Sequence, residues 1–116
     1  MNRTRDYLED LLNEIALVEQ FTVEGEQSFY ADDRTQYAVM MAYARIGEIA
    51  KRIPDAVLAT RPEIEWRDLK GFRDILLHRY NEINPEIVWQ AVLKLPALRT
   101  AIEALLAMQP PDDEDS

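Results

Sequence analysis

The sequence predicts an all-α fold: an antiparallel helical bundle of four main helices, with a short extra helical segment and a proline-kinked last helix. Three observations carry this. Apolar residues recur at three- and four-residue steps along four stretches. Only three glycines interrupt 116 residues. Runs of β-branched residues are few, and no strand-like alternation appears. Amphipathic helices on short links hide their apolar stripes by packing on one another, which makes a bundle. A chain of this length supports one core and is too short for two.

Residues 4–21 read as the first helix, with Leu8, Leu11, Leu12, Ile15 and Val18 on one stripe. Asp6, Glu9 and Asp10 suit the positive end of its dipole. The stretch from Thr22 to Phe29 breaks the pattern, with Gly25 as a turn residue. A second helix starts near Asp32 or Asp33, where Asp33 and Gln36 resemble a capping box. Tyr37, Met40, Met41, Ala44, Gly47 and Ile49 give its buried side, and Pro54 ends it. Gly47 inside a helix costs about 1 kcal/mol against alanine, and a close helix crossing is a reason to keep it. Residues 54–65, with Pro54 and Pro62, read as a helical turn and a loop.

The third helix covers 66–81, with Leu69, Phe72, Ile75 and Leu76 on its core side. Asn84-Pro85-Glu86 supplies a cap, a proline for the first turn and an acid, and so starts the fourth. That helix runs through Ile87, Val88, Val92, Leu95, Leu98, Ile102, Leu105 and Leu106 to about residue 108, and Pro96 kinks or splits it. The domain therefore spans 1–108. Residues 109–116 form a disordered acidic tail.

Composition narrows the function. Without cysteine there are no disulfides or thiolate metal sites, which fits a reducing cytosol. A single histidine argues against a histidine-built zinc centre. No segment approaches the ~20 apolar residues of a membrane span, and the N-terminus has no signal-peptide stretch, so the expectation is a soluble cytoplasmic protein. The net charge of −9 opposes nucleic acid, but it is unevenly placed. Residues 1–33 hold nine acids and two bases, whereas residues 34–100 hold eleven bases and eight acids. Arg67, Lys70, Arg73 and Arg79 lie around the histidine in sequence. A basic cleft on an acidic body and a set of ordinary solvated helix faces both fit this pattern.

The chemistry concentrates in Gly71-Phe72-Arg73-Asp74-Ile75-Leu76-Leu77-His78-Arg79-Tyr80. Arginine grips phosphate through paired donors. Histidine moves protons. Tyrosine offers a hydroxyl that can donate a hydrogen bond or be modified. Residue types alone leave the plainer reading open, in which Arg73 pairs with an acid such as Asp74 or Glu82 and Tyr80 is a partly buried aromatic. Arg73 and Tyr80, seven apart, share a helix face, but His78 lies roughly 140° from Arg73 on an ideal helix. Either the helix is distorted near Leu77-His78, for instance by a π-bulge, or one wide cleft is contacted from both sides.

Arg-x4-His-x-Tyr, here Arg73 to Tyr80, resembles the signature of the HEPN superfamily, and most closely its HepT branch. Further similarity lies in Arg5-Asp6-Tyr7-Leu8-Glu9-Asp10, Ile46-Gly47-Glu48-Ile49-Ala50-Lys51-Arg52, Pro62-Glu63-Ile64-Glu65-Trp66-Arg67 and Pro85-Glu86-Ile87-Val88-Trp89, so it covers roughly residues 5–105. The resemblance implies a dimeric, metal-independent endoribonuclease with no cofactor. It implies the toxin half of a type VII-like toxin–antitoxin pair, whose partner is an MntA-like minimal nucleotidyltransferase that silences it by AMPylation. Arg73 and His78 then correspond to the catalytic pair at a dimer cleft, and Tyr80 to the modified residue. Asp74, Arg79 and Glu48 are candidate supporting residues, with Glu48 able to orient Arg73 or to act as a plain bundle salt bridge. Arg79 and Asn81 depart from the small and aromatic residues common in the pattern, which bears on substrate and partner choice. A second reading keeps the bundle and cleft but makes the chain a non-catalytic nucleotide- or substrate-binding subunit of a nucleotidyltransferase. A third is a plain helical adaptor.

Overall fold

The computed structural model describes residues 2–110, apart from the Tyr80 side chain. Among these residues the chain is all-α. Helix α1 spans Arg3–Phe21, α2 Glu26–Ala31, α3 Asp33–Ala50, α4 Asp55–Leu58 and α5 Trp66–His78. A 3-10 turn covers Tyr80–Glu82, and α6 (Pro85–Leu93) and α7 (Leu95–Met108) follow.

Helix α1 begins where the Asn2 side chain accepts the Arg5 amide at 3.0 Å. It ends where the Thr22 hydroxyl donates to the Val18 carbonyl. Leu8, Leu11, Ile15 and Val18 are fully buried, as the periodicity predicts, and Leu12 packs against their cluster. They meet Val39, Tyr43 and Ile46 of α3 and Leu98, Ile102 and Leu105 of α7 in one core. A fully buried Leu or Ile side chain contributes roughly 1.5–3 kcal/mol, so this layer contributes much of the fold's stability. Helices α1 and α7 run antiparallel. Asn2 reaches the Pro110 carbonyl at one end, and Arg99 forks onto Glu19 at 2.6 and 3.0 Å at the other. Gln109 and Pro110 thus lie beside the N-terminus. The rest of the expected tail lies outside the described residues.

Two elements differ from the sequence reading. The pattern break after Thr22 contains α2, a six-residue helix entered through Gly25 at φ 94°. Its one buried residue, Phe29, packs on Trp89 with ring centroids 5.3 Å apart. The capping arrangement is also shifted. Asp32 is the cap of α3, accepting from the Arg34 amide and the Thr35 hydroxyl. Gln36 turns back and donates its amide to the Phe29 and Tyr30 carbonyls that close α2.

The core side of α3 matches the expected one in part, with Met40 and Ile49 packed against the core. Val39, Ala42, Tyr43, Ile46 and Ala50 are buried with Ala44 and Gly47, whereas Tyr37 and Met41 are 58% and 60% exposed. Gly47 does mark a close crossing, with α5. Pro96 splits the last predicted helix into α6 and α7 at Lys94, and Asn84 caps α6 by accepting the Glu86 amide. No described helix is long and apolar enough to cross a membrane.

Candidate active site

Helix α5 carries the motif. Its start is pinned by the Trp66 indole, which donates to the Arg61 carbonyl at 2.9 Å, and by Lys70, paired with Asp55 at 2.9 Å. Its middle lies against α3 at Gly47, where a Cβ would meet the Leu69 carbonyl oxygen and the Arg73 Cβ, both at 2.9 Å. Leu76 is buried, Leu69 and Phe72 pack against the core, and Ile75, expected inside, is half exposed.

Arg73 leaves this crossing between two carboxylates. Its Nε lies 2.9 Å from Oε2 of Glu48 on α3, and its Nη1 donates to Oδ1 of Asp74 at 2.9 Å. About a third of the side chain, 32%, stays open to solvent. Asp74 also faces Lys51 at 3.6 Å. The hydrogen bond from Arg73, followed by the Lys51 charge, holds the Asp74 carboxyl below the ordinary aspartate value. Glu48, Arg73, Asp74 and Lys51 therefore form one continuous chain of alternating charge. Sequence reasoning singles out the first three and misses Lys51. Its signal is the three-residue step from Glu48, which puts both on one side of α3.

His78 is the last residue of α5 and is exposed. There is no π-bulge. The helix is regular to His78 and then terminates, with Arg79 at φ −137° and Tyr80 opening the 3-10 turn. The expected helix to residue 81 is thus three residues shorter, and the irregularity lies just after the histidine. Arg73 leans on α3 while His78 lies in solvent, so one chain does not bring the pair into contact. The expected basic cluster is also thinner than its sequence. Lys70 and Arg73 are ion-paired, whereas Arg67 and Arg79 are exposed and make no ion pair among the described residues.

On another side of α5 lies a groove of about 510 Å³ that the sequence did not announce. Leu69, Phe72, Ile75, Ile87 and Leu98 line it. The Tyr43 hydroxyl is buried at this wall and has no hydrogen-bond partner among the described residues. Glu63, Glu65 and Asp68 border the groove against one cation, Lys94, which lies 3.9 Å from Glu65, so its rim is net acidic, the wrong sign for a phosphate backbone.

The family model described as "Ribonuclease HepT-like" matches residues 11–105, which include every motif residue just placed. The chain belongs to this HepT-like family. It is 39% identical over 103 residues to a protein of Thermococcus cleftensis named "Probable ribonuclease HepT", an alignment covering 87% of this chain and 94% of the relative. A protein of Methanocaldococcus jannaschii named "Putative RNase" is 32% identical over 114 residues, covering 97% and 94%. No solved structure matches the chain. HepT-like membership agrees with the all-α architecture and places Arg73 and His78 inside the matched segment.

Proposed function

We propose that this HepT-like protein is a metal-independent endoribonuclease that works as a homodimer, with Arg73 and His78 as its catalytic residues. The observation that carries the reading is Arg73, braced by Glu48 and partly open, on the same helix as an exposed terminal His78. Relatives named as ribonucleases support it.

The 2′-hydroxyl of RNA attacks the adjacent phosphorus. A base takes the hydroxyl proton, an acid protonates the departing 5′ oxygen, and cations stabilise the crowded phosphorane. The new O2′–P bond replaces P–O5′, leaving a 2′,3′-cyclic phosphate and a 5′-hydroxyl. One histidine per chain cannot both take and give a proton in one step. A twofold dimer supplies a second His78 for the second role and a second Arg73 for the phosphorane.

The same reading makes the chain the toxin of a toxin–antitoxin pair. A minimal nucleotidyltransferase transfers AMP from ATP to the Tyr80 hydroxyl, releasing pyrophosphate. The added anion sits two residues from His78 and repels incoming RNA. Arg79 and Asn81 flank the modified residue and bear on docking of that enzyme.

The test is incubation of wild type and His78→Ala with total RNA in a chelator. Wild type yields cyclic-phosphate ends and the variant yields none. Equal RNA loss in both overturns the reading. Tyr80→Phe should cut RNA yet escape silencing by the nucleotidyltransferase. Binding of RNA or a nucleotide by wild type without cleavage would instead favour the non-catalytic subunit.

A further inference from the structure

We infer that Glu48 is the positioning residue for Arg73, and that Asp74 is a displaceable plug which Lys51 draws aside when a phosphate arrives. This rests on the reading of Arg73 as the group that grips phosphate.

The two carboxylates on Arg73 are not equivalent. Glu48 comes from another helix, and it stands beside Gly47, where α3 and α5 approach so closely that a Cβ would collide with Arg73. The backbones at that crossing are fixed by contact, so the Glu48–Arg73 pair joins two rigid pieces. It sits on Nε and sets the plane of the guanidinium. Asp74 is the neighbour of Arg73 on the same helix and meets the terminal nitrogen Nη1. With Nε held by Glu48, the paired fork left for a phosphate is the one made by the two terminal nitrogens. Phosphate and Asp74 therefore compete for one edge.

Asp74 has a second place to go. Lys51 lies 3.6 Å from the same Oδ1. When a phosphate oxygen takes Nη1, the Asp74 carboxylate moves fully onto Lys51 and no charge is left unpaired. Glu48 keeps its hold on Nε throughout. The device keeps Arg73 pre-aimed, and it sets a threshold that only a strong anion passes. Glu48 touches no reacting atom and acts through Arg73.

The two acids then have opposite signatures. Glu48→Ala should lower kcat on a short RNA at least tenfold with KM changed less than threefold. Glu48→Gln, which keeps an oxygen acceptor, should restore kcat to within threefold of wild type. Asp74→Ala should instead lower KM, and Lys51→Ala should raise it. An independent readout is the Arg73 Nε–H resonance by NMR. It should move in Glu48→Ala and stay within the wild-type linewidth in Asp74→Ala. An unmoved Nε resonance in Glu48→Ala overturns the positioning role, as does a kcat that Gln fails to restore. An unchanged KM in Asp74→Ala overturns the plug. Full activity in Arg73→Ala would instead remove the underlying reading of the site, and the NMR result would still report whether Glu48 holds the guanidinium.

Discussion

Gly47 leaves no room for a side chain where α5 crosses it at Arg73: a Cβ at Gly47 would stand 2.9 Å from the Cβ of Arg73. The clash is with a Cβ and a carbonyl oxygen, not with the end of a flexible side chain, so the helices themselves must separate. Gly47→Ala should cost about 1–3 kcal/mol despite the better helix propensity of alanine. Gly71 is the control. It lies within α5 with nothing near its would-be Cβ, so Gly71→Ala should add roughly 0.5–1 kcal/mol. Urea unfolding of both variants checks the pair, and destabilisation of equal size in both would refute the crossing argument.

Asp74 gives a pH prediction with a defined sign. Arg73 and Lys51 both favour its charged form, so its folded pKa is lowered. Whatever the pairing adds to stability is present above the ordinary aspartate pKa and is lost as pH falls through the lower, folded one. Asp74 is half exposed, so that contribution is small. The titration itself is the observable. The Asp74 carboxyl carbon should titrate below the ordinary aspartate value by NMR, and Arg73→Gln should move it up by more than Lys51→Gln does.

The buried Tyr43 hydroxyl predicts a gain of stability on removal. It lacks a partner among the described residues, and burial pushes its phenol above the ordinary tyrosine range. An unsatisfied buried hydroxyl costs about 1–3 kcal/mol. The ring packs on Phe72 at 5.6 Å, a contact that phenylalanine preserves. Tyr43→Phe should therefore raise stability by about 1 kcal/mol, seen as a higher urea midpoint with unchanged slope. A loss of stability would mean that the hydroxyl is satisfied.

How far the sequence could be read depended on how many turns a helix had to show its period. Helix α1, with five turns, exposes its buried stripe through Leu8, Leu11, Ile15 and Val18. Helix α2 has six residues and one buried side chain, too few for any period, so only Phe29 could have betrayed it. On α3 the apolar residues exceed one face, and spacing alone could not say that Tyr43 and Ile46 turn inward while Tyr37 and Met41 turn out. The site divides in the same way. Arg73 and His78 were legible as residue types at a spacing. Glu48 was named as a partner for Arg73 but not told apart from a plain bundle salt bridge, and the Lys51–Asp74 link is a contact between separate helices that the Glu48–Lys51 spacing alone does not specify.

The exposed side of α3 makes the last prediction. Tyr37, Met41 and Glu48, at steps of four and seven, share one side of α3. Arg73 and Leu77, four apart, share one side of α5. The Glu48–Arg73 pair joins the two sides, so exposed Tyr37, Met41 and Leu77 border the face that holds the proposed chemistry. Apolar surface beside a site that needs a second histidine is where a second copy belongs under the dimer reading. Met41→Glu and Leu77→Glu, both at exposed positions, should leave the folding of each chain within about 0.5 kcal/mol of wild type. Both should give monomers in sedimentation equilibrium and lower RNA cleavage by about 10²–10⁴, the scale of a lost acid–base partner. Ile87→Glu, on the groove side of the molecule, should leave dimer and activity intact. If Ile87→Glu separates the chains and Met41→Glu does not, the seam runs through the groove, and the two histidines must converge from the opposite side of α5.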